Sequence, residues 1–239
     1  MKKMLTRSLK KLHERADEIS VEKDKELLEE IITNLKDTLL AHDELFALSA
    51  PQIGYDKRIL CLKFENNDIR TLINPMITKY EGLHFSRERD ANVKGPDYIV
   101  PRHDKIILTY QTSLGKVESN IFKDVACELI EQQNNLLDGL LVCDWGLEVL
   151  PEFDEASDED KEQVLQLYVE SLLEKEKTLQ KEIDENPELH QIDKTINYLT
   201  KLATGDLVYE PRLNRKQRRD KEKLEKKLKK QQNKKWRKL

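Results

Sequence analysis

The chain has 239 residues, of which 37% are charged and only 7 are glycine, with a formal net charge of −4. That length admits one ordinary domain with extensions, and no apolar run approaches the ~20 residues of a bilayer span, so no membrane-spanning segment is expected. The basic start, MKKMLTRSLKKL, leads into no long apolar segment, which argues against a secretory signal.

Cys61, Cys127 and Cys143 are scattered among apolar neighbours without a CxxC pair, and read as buried free thiols of a reducing, cytoplasmic setting. The net charge conceals a split. Residues 212–239 hold 15 Lys or Arg against Asp220, Glu222 and Glu225, a balance of +12, so the other 211 residues carry −16.

Taken in order, residues 1–20 read as a basic extension with a short helix. Ser20 is placed to cap a helix running to about His42, with Leu28, Ile31, Ile32, Leu35, Leu39 and Leu40 as its apolar stripe. Pro51 and Gly54 punctuate a turn, and Arg58–Phe64 reads as a strand. Asp68–Ile77 reads as a second strand, interrupted at Asn74-Pro75. Residues 79–104 are polar and read as loop, while Lys105–Thr112 and Lys116–Phe122 flank Ser113-Leu114-Gly115 as a hairpin.

The segment Phe122–Gly139, FKDVACELIEQQNNLLDG, is the expected central helix. Val125, Ala126, Leu129, Ile130, Gln133, Leu136 and Leu137 recur at helical spacing, and Gly139 stands where a C-terminal cap glycine belongs. Four amides, Gln132 to Asn135, interrupt this apolar pattern, and are expected to bond strand edges or buried water. An acidic connector, PEFDEASDED, then leads into a helix over Asp158–Glu185, opened by a Ser157/Asp160 capping box and striped with Leu165, Tyr168, Leu172, Leu179 and Ile183. Asn186-Pro187 starts a second helix that Gly205 ends, completing a helical hairpin over 151–206, followed by a basic tail over 207–239.

Several separated landmarks resemble the peptide deformylase family. ALSAPQIG (47–54) is similar to the family's GxGxAAPQxG segment, INPM (73–76) supplies an Asn-Pro, and VPR (100–102), Gly115-Lys116 and LLDGLL (136–141) follow at the family's spacing. The resemblance covers roughly residues 25–145, so a deformylase-like domain is expected over 21–150. It implies an α+β fold of antiparallel sheets around a central helix.

It also implies a divalent metal that activates water, a glutamate that moves the proton, and the PQxG glutamine as oxyanion donor. Counting back from Gly139, the family's His-Glu pair falls on Gln132 and Gln133, and its second histidine on Leu136. The EGCLS cysteine falls on Asp90 when counted from Asn-Pro or Val100; a register starting at Glu81 would put it on Leu83, and Asp90 is preferred. Only Gln52 retains the family's residue. The resemblance with these replacements implies a pseudoenzyme without metal or other cofactor, in which Gln52, Asp90, Gln132, Gln133 and Leu136 mark vestigial positions.

Cys127 and Glu131 have metal-ligand spacing but sit five residues out of place, on another face of the helix. His84 reads as a solvated loop histidine. The tail's Arg212, Arg215, Lys216, Arg218, Arg219, Lys226, Lys227, Lys229, Lys230, Lys234, Lys235, Arg237 and Lys238, interleaved with Leu213, Leu224 and Leu228, are the expected contacts for an anionic partner. That partner could be nucleic acid or an acidic protein. The leading expectation is a structural or binding component of a larger assembly, a phage virion included. An RNA- or ribosome-associated regulator and a divergent metallo-deformylase are the alternatives.

Overall fold

A computed structural model of the chain describes residues 9–185. A short helix α1 (Leu9–Leu12) precedes the long helix α2 (Lys25–Ala41). Next come β1 (Ala47–Ser49), a 3-10 turn over Ala50–Ile53, β2 (Ile59–Lys63) and β3 (Ile69–Glu81). The strands β4 (His84–Glu88), β5 (Tyr98–Arg102), β6 (Lys105–Gln111) and β7 (Val117–Lys123) lead into helix α3 (Asp124–Leu137). The described part closes with α4 (Val142–Trp145), β8 (Leu147–Glu148), α5 (Pro151–Glu155) and α6 (Asp158–Glu185). The expected second helix of the hairpin and all of the tail's cations lie outside the described residues.

The strands form two antiparallel sheets, β1-β2-β3-β6-β7 and β4-β5-β8, so the fold is α+β. Both α2 and α3 pack on the larger sheet. The stripe Leu28, Ile31, Leu35 and Leu39 of α2 closes over Leu48, Ile59, Cys61 and Ile73 in the main core. Each helix then ends on a buried cation from β2 or its approach. Lys63 Nζ donates to the carbonyls of Leu39 and His42 beyond α2. Arg58 Nη1 donates to the Leu137 carbonyl and to Asp138 at the end of α3. Positive charge against the exposed carbonyls of a helix C-terminus is favourable on both counts. Among the described residues no helix is long and apolar enough to cross a membrane.

Three expectations shift. Helix α2 starts at Lys25 rather than after Ser20, because Asp24 Oδ2 takes the Ser20 N–H and Ser20 Oγ takes the Lys23 N–H, closing a separate turn first. Strand β3 runs through Asn74-Pro75 instead of stopping, with a register shift between Ile73 and Met76 that places proline where its missing N–H breaks no ladder bond. Residues 79–104 are not simply loop: β4 and β5 lie within them. Their inward residues His84, Ser86 and Glu88 are polar and bonded to one another's neighbours, so no hydrophobic alternation announces the strand.

Candidate functional site

The 3-10 turn after β1, the loop between β4 and β5, and the second half of α3 meet at one end of the larger sheet. Gln52, on that turn, is 1% exposed. Its Oε1 accepts the Ser49 N–H at 2.9 Å and the Ser49 hydroxyl at 3.1 Å, while its Nε2 donates to Asn92 Oδ1 at 2.9 Å. Asn92 Nδ2 returns a bond to the Gln52 carbonyl at 3.1 Å. The amide that is the family's oxyanion donor is here engaged within the turn and the loop.

Asp90, on the same loop, is buried. Its Oδ2 accepts the Val142 N–H at 2.8 Å, joining the loop to the start of α4, and its Oδ1 has no hydrogen-bond partner. Burial raises the Asp90 carboxyl from 3.8 to about 6, with Glu88 and Asp144 adding to the rise and the Val142 N–H and Arg102 opposing it. Leu83, the alternative position for the family cysteine, lies exposed between β3 and β4.

On α3, half-exposed Gln132 donates from Nε2 to the Arg89 carbonyl at 3.1 Å, in the loop next to Asp90 rather than at a strand edge. Gln133 is buried with Oε1 unpartnered, and both amide atoms of Asn135 are likewise buried without a partner. Leu136 is 1% exposed and packs with Leu12 and Leu141 against Val93 and Cys143. The structure thus brings Gln52, Asp90, Gln132 and Leu136 to one region, each committed to an internal bond or to the core.

A transition ion of the family's kind wants imidazole nitrogens and a thiolate. Here a hydrocarbon stands at one position, an amide bonded to a carbonyl at another, and at the third a carboxylate whose Oδ2 is taken by a backbone N–H. These residues do not fit that ion. Among the described residues no group of three His, Cys, Asp or Glu side chains is arranged to hold a metal.

The polar chemistry that the sequence hid lies on the other face of α3. His103 donates its backbone N–H to Glu131 Oε2 at 2.9 Å, and its Nδ1 lies 2.8 Å from Glu131 Oε1. Cys127 Sγ is 3.8 Å from the same carboxylate, and burial, then Glu131, push the thiol well above its usual range. The Cys127/Glu131 pair does face elsewhere than the vestigial positions, but inward, onto a histidine, rather than to a metal. Of the expected inner face of α3, Ile130, Gln133, Leu136 and Leu137 are buried, while Val125 is exposed and Cys127 and Glu131 join the interior.

His84 is not simply solvated. Its Nδ1 lies 2.9 Å from Asp104 and its Nε2 3.1 Å from Glu128, which also accepts the Ser86 hydroxyl at 2.6 Å. Arg102 is wholly buried, with Nε and Nη2 on the two oxygens of Glu88 at 2.6 and 2.7 Å and its guanidinium over the Trp145 ring. The available signal was the polar alternation of His84, Ser86 and Glu88, and a VPR segment running straight into His103.

The sequence model described as "Polypeptide deformylase" matches residues 1–148. A protein named "Peptide deformylase" from Dictyoglomus thermophilum is 29% identical over 128 residues, covering 54% of this chain and 82% of that protein. Among solved structures, peptide deformylase from Thermotoga maritima superposes with a TM-score of 0.55 at 22% identity, covering 63% of this chain and 99% of its own. A probable peptide deformylase from synechococcus phage S-SSM7 gives 0.54 at 23% identity, covering 60% and 99%. The matches overturn the expectation of a non-enzyme: family and relative alike are named for an enzyme, and replacements at a few positions do not show that activity is lost. With the family sequence model spanning 148 of its residues, more than half of the chain, and solved deformylases sharing its fold, the chain belongs to the peptide deformylase family.

Proposed function

We propose that this deformylase-family chain serves as a binding component of a larger assembly, its fold acting as a scaffold for added surface. The observation that carries this reading is α6. The helix lies beyond the family-matched residues, seats Tyr168 and Leu172 against Leu147, and turns Val164 and Leu167 to solvent among Asp158, Glu159, Asp160 and Glu162. An added helix with apolar residues on its open face makes new surface, and enlarged apolar surface is what protein partners use. The experiment is purification of the tagged full-length chain from its own host after cross-linking, followed by mass spectrometry. Stoichiometric protein partners, virion components among them, are expected; a chain that stays alone at cellular concentration overturns the reading. Nuclease treatment in the same experiment separates protein partners from the RNA- or ribosome-associated alternative, which rests on residues 212–239 outside the described part.

A second reading, metal-dependent deformylation, is favoured by family membership itself. No step is assigned to it, because the side chains at the ligand positions do not fit the ion. Formate release from a formyl-methionyl peptide, measured with and without added iron, nickel or zinc, tests it directly.

A further inference from the structure

We infer that the groove between β4 and α6 is a docking site for a basic amphipathic helix of a partner protein. This deepens the binding role proposed above by naming the face and the partner's chemistry. The groove has a volume of about 440 Å³, and its apolar floor is Phe85 from β4 with Leu165 and Val169 from α6. The Phe85 ring stands 6.4 Å from the ring of Tyr168, which is itself buried, so the floor is anchored to the domain rather than hanging from the helix. Phe85 remains 36% exposed in the absence of an occupant.

Along the same wall stand Asp158 and Glu162, both exposed, and neither paired with a cation among the described residues. They are four residues apart on one helix, so their side chains emerge one above the other, about 6 Å apart. Lys161 also lines the groove, its Nζ turned to the Asp154 carbonyl, and Arg87 is held by the carboxylates of Asp97 and Asp154. With two carboxylates against one ammonium, the groove's wall keeps a net charge of −1 over a hydrocarbon floor. A nucleic acid phosphate is repelled from such a wall. A helix that carries Lys or Arg at i and i+4 beside Leu-type side chains meets it at both levels: the cations reach the two carboxylates and the apolar stripe enters between Phe85, Leu165 and Val169.

The test uses the full chain and a short fluorescent peptide repeating Lys-Leu-Leu-Lys, followed by anisotropy, with the Glu-for-Lys peptide as counterpart. The Lys peptide is expected to bind and to lose affinity when Glu162 is reversed; any Glu peptide held by the cations of 212–239 should lose none. Glu162→Lys should weaken the Lys peptide at least about tenfold, and Phe85→Ala by a similar factor, since about 1.4 kcal/mol of lost contact corresponds to tenfold. Glu152→Lys, the same charge change at an exposed site away from the groove, should leave affinity within about twofold, as expected of a peripheral, screened charge. Circular dichroism confirms that each variant is folded. Equal binding by wild type and Glu162→Lys, equal loss with Glu152→Lys, or no binding of the Lys peptide each overturns the inference. If native partners are still captured in that case, the assembly role stands and the contact lies on another face.

Discussion

The side chains of Gln52 and Asn92 close a reciprocal ring: Gln52 Nε2 donates to Asn92 Oδ1, and Asn92 Nδ2 donates to the Gln52 carbonyl, at 2.9 and 3.1 Å. Both residues are buried, so each leaves a polar group in a dry site if the other is removed. Asn92→Ala is expected to cost about 1–3 kcal/mol, the penalty of an unpaired buried amide. Urea denaturation of the variant measures it, and a midpoint unchanged from wild type would show that water replaces Asn92 freely.

Asp90 predicts a pH dependence. Its carboxyl titrates at about 6 in the fold, with 3.8 as its ordinary value, so the folded chain holds this proton more tightly than the unfolded one. The group's contribution is therefore most favourable below pH 4 and is lost as pH rises through 6. The difference of about two pH units is worth about 3 kcal/mol. Asp90→Asn keeps an oxygen for the Val142 N–H and cannot ionise. It should melt higher than wild type at pH 8, with the gap closing towards pH 4.5. A gap that is constant across this range would sink the assignment.

The ligand positions predict metal behaviour. The wild-type chain is expected to be purified with far less than stoichiometric zinc, iron or nickel, because Leu136 and the engaged Gln132 and Asp90 offer no suitable donor set. Combining Asp90→Cys, Gln132→His, Gln133→Glu and Leu136→His should create tight metal uptake, read by elemental analysis after dialysis. Stoichiometric metal in the unaltered chain would mean that its ligands lie elsewhere.

Leu136→His alone should instead destabilise the fold. The side chain is enclosed by Leu12 and Leu141, and loss of a buried leucine costs about 2–5 kcal/mol before the imidazole's own desolvation is added. An unchanged melting temperature would indicate an open position.

Gly139 ends α3 at φ +79°, and a Cβ there would stand 2.4 Å from the carbonyl oxygen of His13. Gly115 has a similar φ of +76°, but its nearest neighbour is Val21 Cγ1 at 3.8 Å. Gly139→Ala should therefore cost clearly more than Gly115→Ala, which carries only the left-handed strain of about 1 kcal/mol. Chemical denaturation of the pair checks it, and equal losses would refute the clash.

Helix α2 and the hairpin of the larger sheet were legible because their burial follows a simple period: Leu28, Ile31, Leu35 and Leu39 of the expected stripe are buried, though Leu40 is exposed, and β6 pairs with β7 as the expected hairpin. β4 was not, because it turns His84, Ser86 and Glu88 inward, where partners distant in sequence satisfy them. For the same reason two inward residues of α3, Cys127 and Glu131, were missed beside those read correctly. A buried Glu131 looks like a surface residue until His103, 28 positions away, is placed against it. Leu12 shows a related blindness: the segment read as a charged extension contributes a side chain only 1% exposed, because its contacts Leu136 and Leu141 arrive from the far end of the domain. The replacements at 90, 132 and 136 were readable by position, but their hydrogen bonds were not.

The seat of α6 is narrow. Over its 28 residues, the described side chains that are buried are Tyr168 and Leu172, with Tyr168 Oη donating to the Trp145 carbonyl at 3.0 Å. Two anchors, that bond and the exposed one from Lys161 to the Asp154 carbonyl hold far less free energy than a domain core, so the helix has a route to lift away while both sheets stay folded. The groove floored by Phe85 exists only while the helix is down. Occupancy and seating are then thermodynamically linked. A bound partner slows amide exchange along α6, and a change at Tyr168 that loosens the helix weakens a partner it never touches.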